Sequence, residues 1–385
     1  MALRSAFIVS ARRTALGRLG GLHRQRRVED LGAPTLLEAL KDAKLQPARV
    51  DRVVLGNASA GGNPARLVSL AAGVPDSAPA LTLDQQCASG LEAIVYAARC
   101  IAAGDADIIV AGGVEAISMA PWRLAKPKAV HQTPRLLSLL GEEDAIGGDL
   151  GAISAADRVA RRRKIARDTQ DDWAFRSHLA AGLARDARRF LKEIVPLEAN
   201  AVESRDQSAV EPQLAELTAL PPLRSEGTLS AGNTSQLHDG AAIVVVVSQD
   251  VWEELGRPSA LRLVTSASVG VAPAEELEAP LVAFRRMIAR TKGLAVADIE
   301  LIEMSERSAV QAIVLRDALA LSDSLLNPDG GAIVRGHPLG AAGAVLVTRL
   351  FTRMARSKTG DRPRLGAAVL GAAGGQGLAA LFEAV

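Results

Sequence analysis

Two stretches far apart in the chain read as copies of one another. Lys44-Leu45-Gln46-Pro47-Ala48-Arg49-Val50-Asp51-Arg52-Val53-Val54-Leu55 and Lys292-Gly293-Leu294-Ala295-Val296-Ala297-Asp298-Ile299-Glu300-Leu301-Ile302-Glu303 each run from a helix end through a short loop into a strand. An internal echo of this kind constrains the chain to two similar halves. Counting on from each strand, Cys87 and His337 fall at nearly the same distance, each between a strand and a helix. Matching corners of the two halves thus carry a thiol and an imidazole. At 385 residues, 48% of them hydrophobic and 23% charged, the chain is globular and long enough for two or three domains sharing an extensive interior. Aromatics are only 3%, so packing must rely on small and branched side chains.

Hydrophobic patterning predicts strands over 6–10, 50–55, 107–111 and 241–247, another ending at Leu83 and another from Leu261. Helices are predicted over 30–43, from about Ser89, and over 168–185. Strands alternating with helices imply an α/β class with a mainly parallel sheet covered on both faces. Gly112-Gly113-Val114-Glu115-Ala116-Ile117-Ser118-Met119 reads as a glycine-started turn. From about Pro121 to Pro222 charge and helix formers dominate, marking an inserted lobe. Its basic run Arg161-Arg162-Arg163-Lys164 reads as a solvated helix face.

The first corner is Ala80-Leu81-Thr82-Leu83-Asp84-Gln85-Gln86-Cys87-Ala88-Ser89-Gly90. It sets the Cys87 thiol at a helix start, where unpaired N–H groups and the positive end of the macrodipole favour a thiolate. The pattern equally suits a buried structural cysteine, since Cys packs as a small hydrophobe. The second corner, Asn327 through Gly343, wedges His337 between Gly336 and Pro338 in a glycine-rich loop. That setting favours function, because a His beside a reactive Cys is the usual activator in acyl chemistry. A third cluster, Gly371-Ala372-Ala373-Gly374-Gly375-Gln376-Gly377, offers backbone N–H groups for an oxyanion, or is a plain turn between strands.

Other classes are disfavoured. Lys plus Arg number 45 against 43 Asp plus Glu, a net charge of +2 that argues against a nucleic-acid groove. Two Cys and five His without close pairing argue against a metal site. The longest aliphatic stretch, 241–247, is strand-sized and the N-terminal apolar run is too short for a signal peptide, so a cytoplasmic protein without a membrane partner is expected.

With these motifs in order, the chain resembles the thiolase family over essentially its whole length. The matching pieces are Ile8-Val9-Ser10-Ala11-Arg12-Arg13-Thr14, Cys87-Ala88-Ser89-Gly90, Ala111-Gly112-Gly113-Val114-Glu115, Ser230-Ala231-Gly232-Asn233-Thr234-Ser235 with Asp239-Gly240-Ala241, Gly336-His337-Pro338 and the terminal glycine cluster. The resemblance implies a five-layered αβαβα fold with mixed, largely parallel sheets. Its N-terminal half would span 1–118 plus 240–259, its inserted coenzyme A-binding loop domain 119–239 and its C-terminal half 260–385. It implies coenzyme A thioesters as substrates, no tightly bound cofactor, and a homodimer or homotetramer. Cys87 would take up an acetyl or fatty acyl group and His337 would activate it. Ser235 would lie by the pantetheine arm, and the backbone N–H groups of Cys87 and Ala373 would form an oxyanion hole.

The chain departs from the family pattern at several places. Gly371 stands where thiolases carry a second Cys that moves the α-proton, so His337 or a water would have to take over that step. The family's Asn-Glu-Ala-Phe element reads Ser305-Glu306-Arg307-Ser308, leaving Ser305 to hold a water on a shorter arm and making the pocket wall polar at Arg307 and Ser308. The family's Met-Gly-x-Gly-Pro reads Glu276-Leu277-Glu278-Ala279-Pro280, and 206–220 lacks a basic residue for the nucleotide end of coenzyme A. The expected activity is thiolase-type acyl transfer that condenses or cleaves 3-ketoacyl-coenzyme A. A thioesterase, a decarboxylative condensing enzyme and a catalytically impaired acyl-coenzyme A-binding partner subunit are the alternatives.

Overall fold

The computed structural model describes residues 4–137, 148–198, 205–210, 212–357 and 362–385. Its main strands are β1 (Ala6–Thr14), β2 (Arg52–Gly56), β3 (Ala80–Leu83), β4 (Ile108–Glu115), β5 (His238–Ser248), β6 (Leu261–Gly270), β7 (Leu301–Met304), β8 (Leu365–Ala372) and β9 (Gln376–Ala384). The main helices are α1 (Val28–Asp42), α2 (Pro64–Ala71), α3 (Ser89–Ala103), α4 (Gly148–Arg163), α5 (Arg167–Asp186), α6 (Ala279–Ala289), α7 (Ala309–Ala318) and α8 (Ala342–Met354).

The strand order is β7-β8-β9-β6-β1-β5-β4-β2-β3. The two halves of this sheet meet at a short seam, Phe7 opposite Arg262 and Ile8 opposite Leu261. Three apolar clusters define the layering. One joins α1 and α2 to the outer face of the first half, through Val53, Leu55, Val110 and Val245. A second sets α3 and α8 between the halves, against Val54, Ile109, Val244, Leu370 and Phe382. The third packs α6 and α7 on the outer face of the second half, against Val369, Ala379 and Leu381. Helix, sheet, helix, sheet, helix is a five-layered α/β arrangement. The echo in sequence is an echo in structure: a single 3-10 turn, Pro47–Arg49 or Val296–Asp298, precedes β2 and β7 respectively.

The sheet is mixed, and less parallel than alternation suggests. Among the main strands, parallel pairing is found for β2 with β3 and β4 and for β7 with β8, at the flanks, and the short strand Ile194–Val195 adds a parallel pairing to the end of β1. The centre is antiparallel: β4 with β5, β5 with β1, β1 with β6, β6 with β9 and β9 with β8. Two connections reverse the direction. The long excursion after β4 brings β5 back beside it, and the tight turn at Ala373 returns β9 beside β8. Buried ion pairs fasten that excursion to both halves. Arg13 on β1 holds Glu193 at 2.9 Å and Asp206 at 2.6 Å, while Arg349 on α8 pairs with Glu193 and Asp329. The basic run at the end of α4 is spent locally, with Arg162 and Arg163 both on Glu278. Among the described residues, no helix is long and apolar enough to cross a membrane.

Candidate active site

The first corner leaves β3 and enters α3 through a strained residue, Gln86, at φ 53°. Ser89 locks this shape: its Oγ accepts from the Gln85 N–H at 2.8 Å and donates to the Gln86 carbonyl at 2.6 Å. Asp84 Oδ1 accepts from the Gln86 N–H at 2.9 Å. The chain then turns into helix one residue past Ala88, leaving Cys87 fully buried at the mouth of α3.

The second corner is held on three sides. Gly336 sits at φ 102°, and a Cβ there would lie 2.2 Å from the His238 ring, so glycine alone fits. The His337 N–H donates to the Gln236 carbonyl at 2.9 Å, and the His238 N–H donates to the His337 carbonyl at 3.1 Å. Below it, the Gly340 carbonyl nests where Gly56, Gly90 and Gly113 carry no side chain; a Cβ at Gly113 would be 2.4 Å from that oxygen. Gly112 and Gly113 are thus interior residues of β4 and not a turn, the absent side chains permitting close backbone approach. Glu115 completes the seat. Its carboxylate accepts from the Gly340 N–H at 2.9 Å, Asn57 Nδ2 at 2.9 Å, the Ala58 N–H at 3.0 Å, the Ser59 N–H at 3.1 Å and the Ser59 hydroxyl. Burial pushes this carboxyl up to about 7 in spite of those donors.

These constraints bring the two corners together. His337 Nε2 lies 3.0 Å from Cys87 Sγ, and His337 Nδ1 lies 3.1 Å from Ser305 Oγ. Burial, then the charges of Arg307 and His238, push His337 down to about 3. The imidazole is therefore neutral well below neutral pH and free to accept the thiol proton at Nε2 while donating from Nδ1 to Ser305, a tautomer assigned from these contacts. The rate of Cys87 acylation is expected to stay level from about pH 7 to about pH 5, without the fall centred near 6.5 that an ordinary histidine base imposes. An inflection there, measured as acylation rate against pH, contradicts the neutral-imidazole assignment.

A cavity of about 740 Å³ opens against His337, walled by Ser235, Glu276, Arg307, Ser308 and Gly371 among others. Ser235 donates to the Arg307 carbonyl, through its N–H at 3.0 Å and its hydroxyl at 3.3 Å. Arg307 Nη1 lies 3.9 Å from Glu276 Oε1. Ser308 faces the cavity but also caps α7, its Oγ accepting from the Gln311 N–H at 3.4 Å. The Ser305 hydroxyl thus lies against the ring nitrogen of His337 that faces away from Cys87. Ala373 occupies the turn between β8 and β9, followed by Gly374 and Gly375 at positive φ. At Gly371 an added Cβ would meet Gln311 Nε2 at 3.0 Å and Pro280 Cγ at 3.1 Å. Cys100, by contrast, is buried on α3 with Arg52 Nη1 3.7 Å from its sulfur. Among the described residues, no group of His, Cys, Asp or Glu is placed to hold a metal ion.

Sequence reasoning did not assign roles to Glu115, Gln311 or the 236–238 strap. Glu115 belongs to a glycine-rich motif, but only the fold reveals that its partners come from two separate segments, 57–59 and Gly340.

Comparison with known proteins agrees with this geometry. The family described as thiolase, N-terminal domain, matches residues 6–250, and that described as thiolase, C-terminal domain, matches residues 258–384. The chain belongs to the thiolase family. Two similar proteins, both provisionally named acetyl-CoA C-acetyltransferases, are VraB of Staphylococcus epidermidis and YhfS of Bacillus subtilis. VraB is 35% identical over 386 residues, covering 99% of each chain. YhfS is 38% identical over 389 residues, covering 98% of this chain and 99% of that one. The fold is that of the Bacillus anthracis acetyl-CoA acetyltransferase, with TM-score 0.92, 31% identity and complete coverage of both chains. It also matches human mitochondrial 3-ketoacyl-CoA thiolase, solved in complex with CoA, with TM-score 0.91, 30% identity and coverage of 100% of this chain and 99% of that one. This thiolase thus shares its whole length with relatives that are acyltransferases acting on coenzyme A thioesters.

Proposed function

We propose that this thiolase carries an acyl group on Cys87 and passes it between coenzyme A thioesters, condensing or cleaving a 3-ketoacyl-coenzyme A. The observation that supports this most is the 3.0 Å approach of a neutral His337 Nε2 to the buried Cys87 sulfur. His337 takes the thiol proton as the sulfur attacks the thioester carbonyl, then returns it to the departing coenzyme A thiol. Ser305 keeps the ring in the tautomer that leaves Nε2 open. The N–H groups of Cys87 and Ala373 are assigned to the oxyanion, a contact for which alanine suffices because no side chain takes part. Coenzyme A would enter along the cavity wall bearing Ser235.

A second reading is favoured by one observation: position 371 is glycine, which has no side chain that could transfer a proton. In a decarboxylative condensing enzyme, loss of carbon dioxide creates the carbanion and no α-proton need be removed. Steady-state assays with acetyl-, malonyl- and 3-ketoacyl-coenzyme A separate the two. Coenzyme A-dependent cleavage of the 3-ketoacyl thioester is expected; condensation from malonyl-coenzyme A alone would replace this reading with the decarboxylative one.

A further inference from the structure

Carbon–carbon chemistry between two thioesters needs a group that removes an α-proton and later gives one back. The cavity wall shows which side chains are available. His178 has Nδ1 2.9 Å from the Val210 carbonyl. His238 has both nitrogens engaged, Nδ1 with the Gln236 carbonyl at 2.9 Å and Nε2 with Ser208 Oγ at 2.7 Å. His337 is held between Cys87 and Ser305. Arg18 and Arg307 are guanidinium groups, which donate hydrogen bonds but do not exchange protons near neutral pH.

Glu276 is the one carboxylate among the described residues of that wall. It belongs to the turn Pro273–Glu278, which leads directly into Pro280. Pro280 ring carbons lie 3.1 and 3.3 Å from where a side chain at 371 would begin, so this turn borders the space that glycine leaves open. Arg307 Nη1, 3.9 Å from Glu276 Oε1, holds the carboxylate at the wall of the cavity that His337 also lines.

We propose that Glu276 is the acid/base of carbon–carbon bond formation and cleavage in this enzyme, a role that rests on Cys87 being the acyl carrier. In condensation, Glu276 takes a proton from the α-carbon of an acyl-coenzyme A. The resulting carbanion attacks the carbonyl of acyl-Cys87, forming the carbon–carbon bond. The tetrahedral adduct then collapses by breaking the bond to sulfur, and the Cys87 thiolate regains a proton from protonated Glu276 by way of solvent or His337. In cleavage the same carboxylic acid protonates the leaving α-carbon.

The test compares wild type, Glu276→Gln and Glu276→Asp by two readouts: the Cys87 acyl adduct, by intact mass, and exchange of acetyl-coenzyme A methyl protons for deuterium in heavy water, by NMR. Glu276→Gln is expected still to form the Cys87 acyl adduct, which shows that it is folded, and to lose about 10²–10⁴-fold in exchange and in 3-ketoacyl cleavage. Glu276→Asp is expected to recover part of both. Exchange and cleavage at the wild-type rate in Glu276→Gln overturn the proposal. So does a wild type that acylates Cys87 but exchanges no protons, an outcome that leaves the acyl-carrier reading intact. Failure of wild type to acylate at all overturns the acyl-carrier reading itself.

Discussion

His337→Ala is expected to slow acylation of Cys87 by about 10²–10⁴-fold. The buried thiol faces the imidazole at 3.0 Å, and nothing in the arrangement of Ser305 offers it a substitute base, because that hydroxyl sits on the far ring nitrogen. The effect should be confined to the chemical step. His337 is anchored through its backbone to Gln236 and His238, and these bonds survive truncation of the side chain. The variant should therefore stay folded and still bind coenzyme A. Stopped-flow release of coenzyme A from an acyl thioester, with thermal unfolding as the control, measures both quantities. Acylation within threefold of wild type would remove His337 from the mechanism.

The second large effect is expected at a residue that contributes no side chain to the site. Gly113→Ala should destabilise the protein by about 1–3 kcal/mol or more and abolish acylation in the fraction that remains folded. The new methyl carbon would stand 2.4 Å from the Gly340 oxygen and 2.7 Å from Ala341 Cα, both backbone atoms that no rotamer change can move. Relief requires the loop below His337 to shift, which also strains the Gly340 N–H bond to Glu115. Gly151→Ala is the control. It lies within α4 with nothing inside 4 Å of the new carbon, so it should hold or slightly raise stability. Equal melting temperatures for Gly113→Ala and wild type would show that the glycine seat does not set the position of the His337 loop.

Much of the fold is legible from local pattern. The apolar run at 241–247 lies inside β5, the predicted long helix at 168–185 is α5, and the helix after Cys87 begins at Ser89. The duplicated strand entries announce two halves because each half repeats the same helix end, turn and strand. Sheet direction is not legible in this way. Whether a strand returns parallel or antiparallel depends on where a connection of more than a hundred residues delivers it, and no local propensity encodes that. Gly112 and Gly113 mislead for a related reason: glycine signals a turn when read locally, but here Gly112 makes room for the backbone of the neighbouring strand β5 at Ala242 and Gly113 for the Gly340 backbone from the other half of the molecule. The same holds at the site. Cys87 and His337 stand out by composition and corner geometry. Glu276 looks like a surface residue until the fold turns Pro273–Glu278 onto the cavity beside Gly371.

The central claim, that Cys87 carries the acyl group, is tested most directly by intact-protein mass spectrometry. Wild type and Cys87→Ala are incubated with acetyl-, longer-chain acyl- and 3-ketoacyl-coenzyme A. A mass increase equal to one acyl group in wild type, absent from Cys87→Ala, is the predicted result. No adduct with any thioester in folded, reduced wild type, or an adduct that persists in Cys87→Ala, would contradict it.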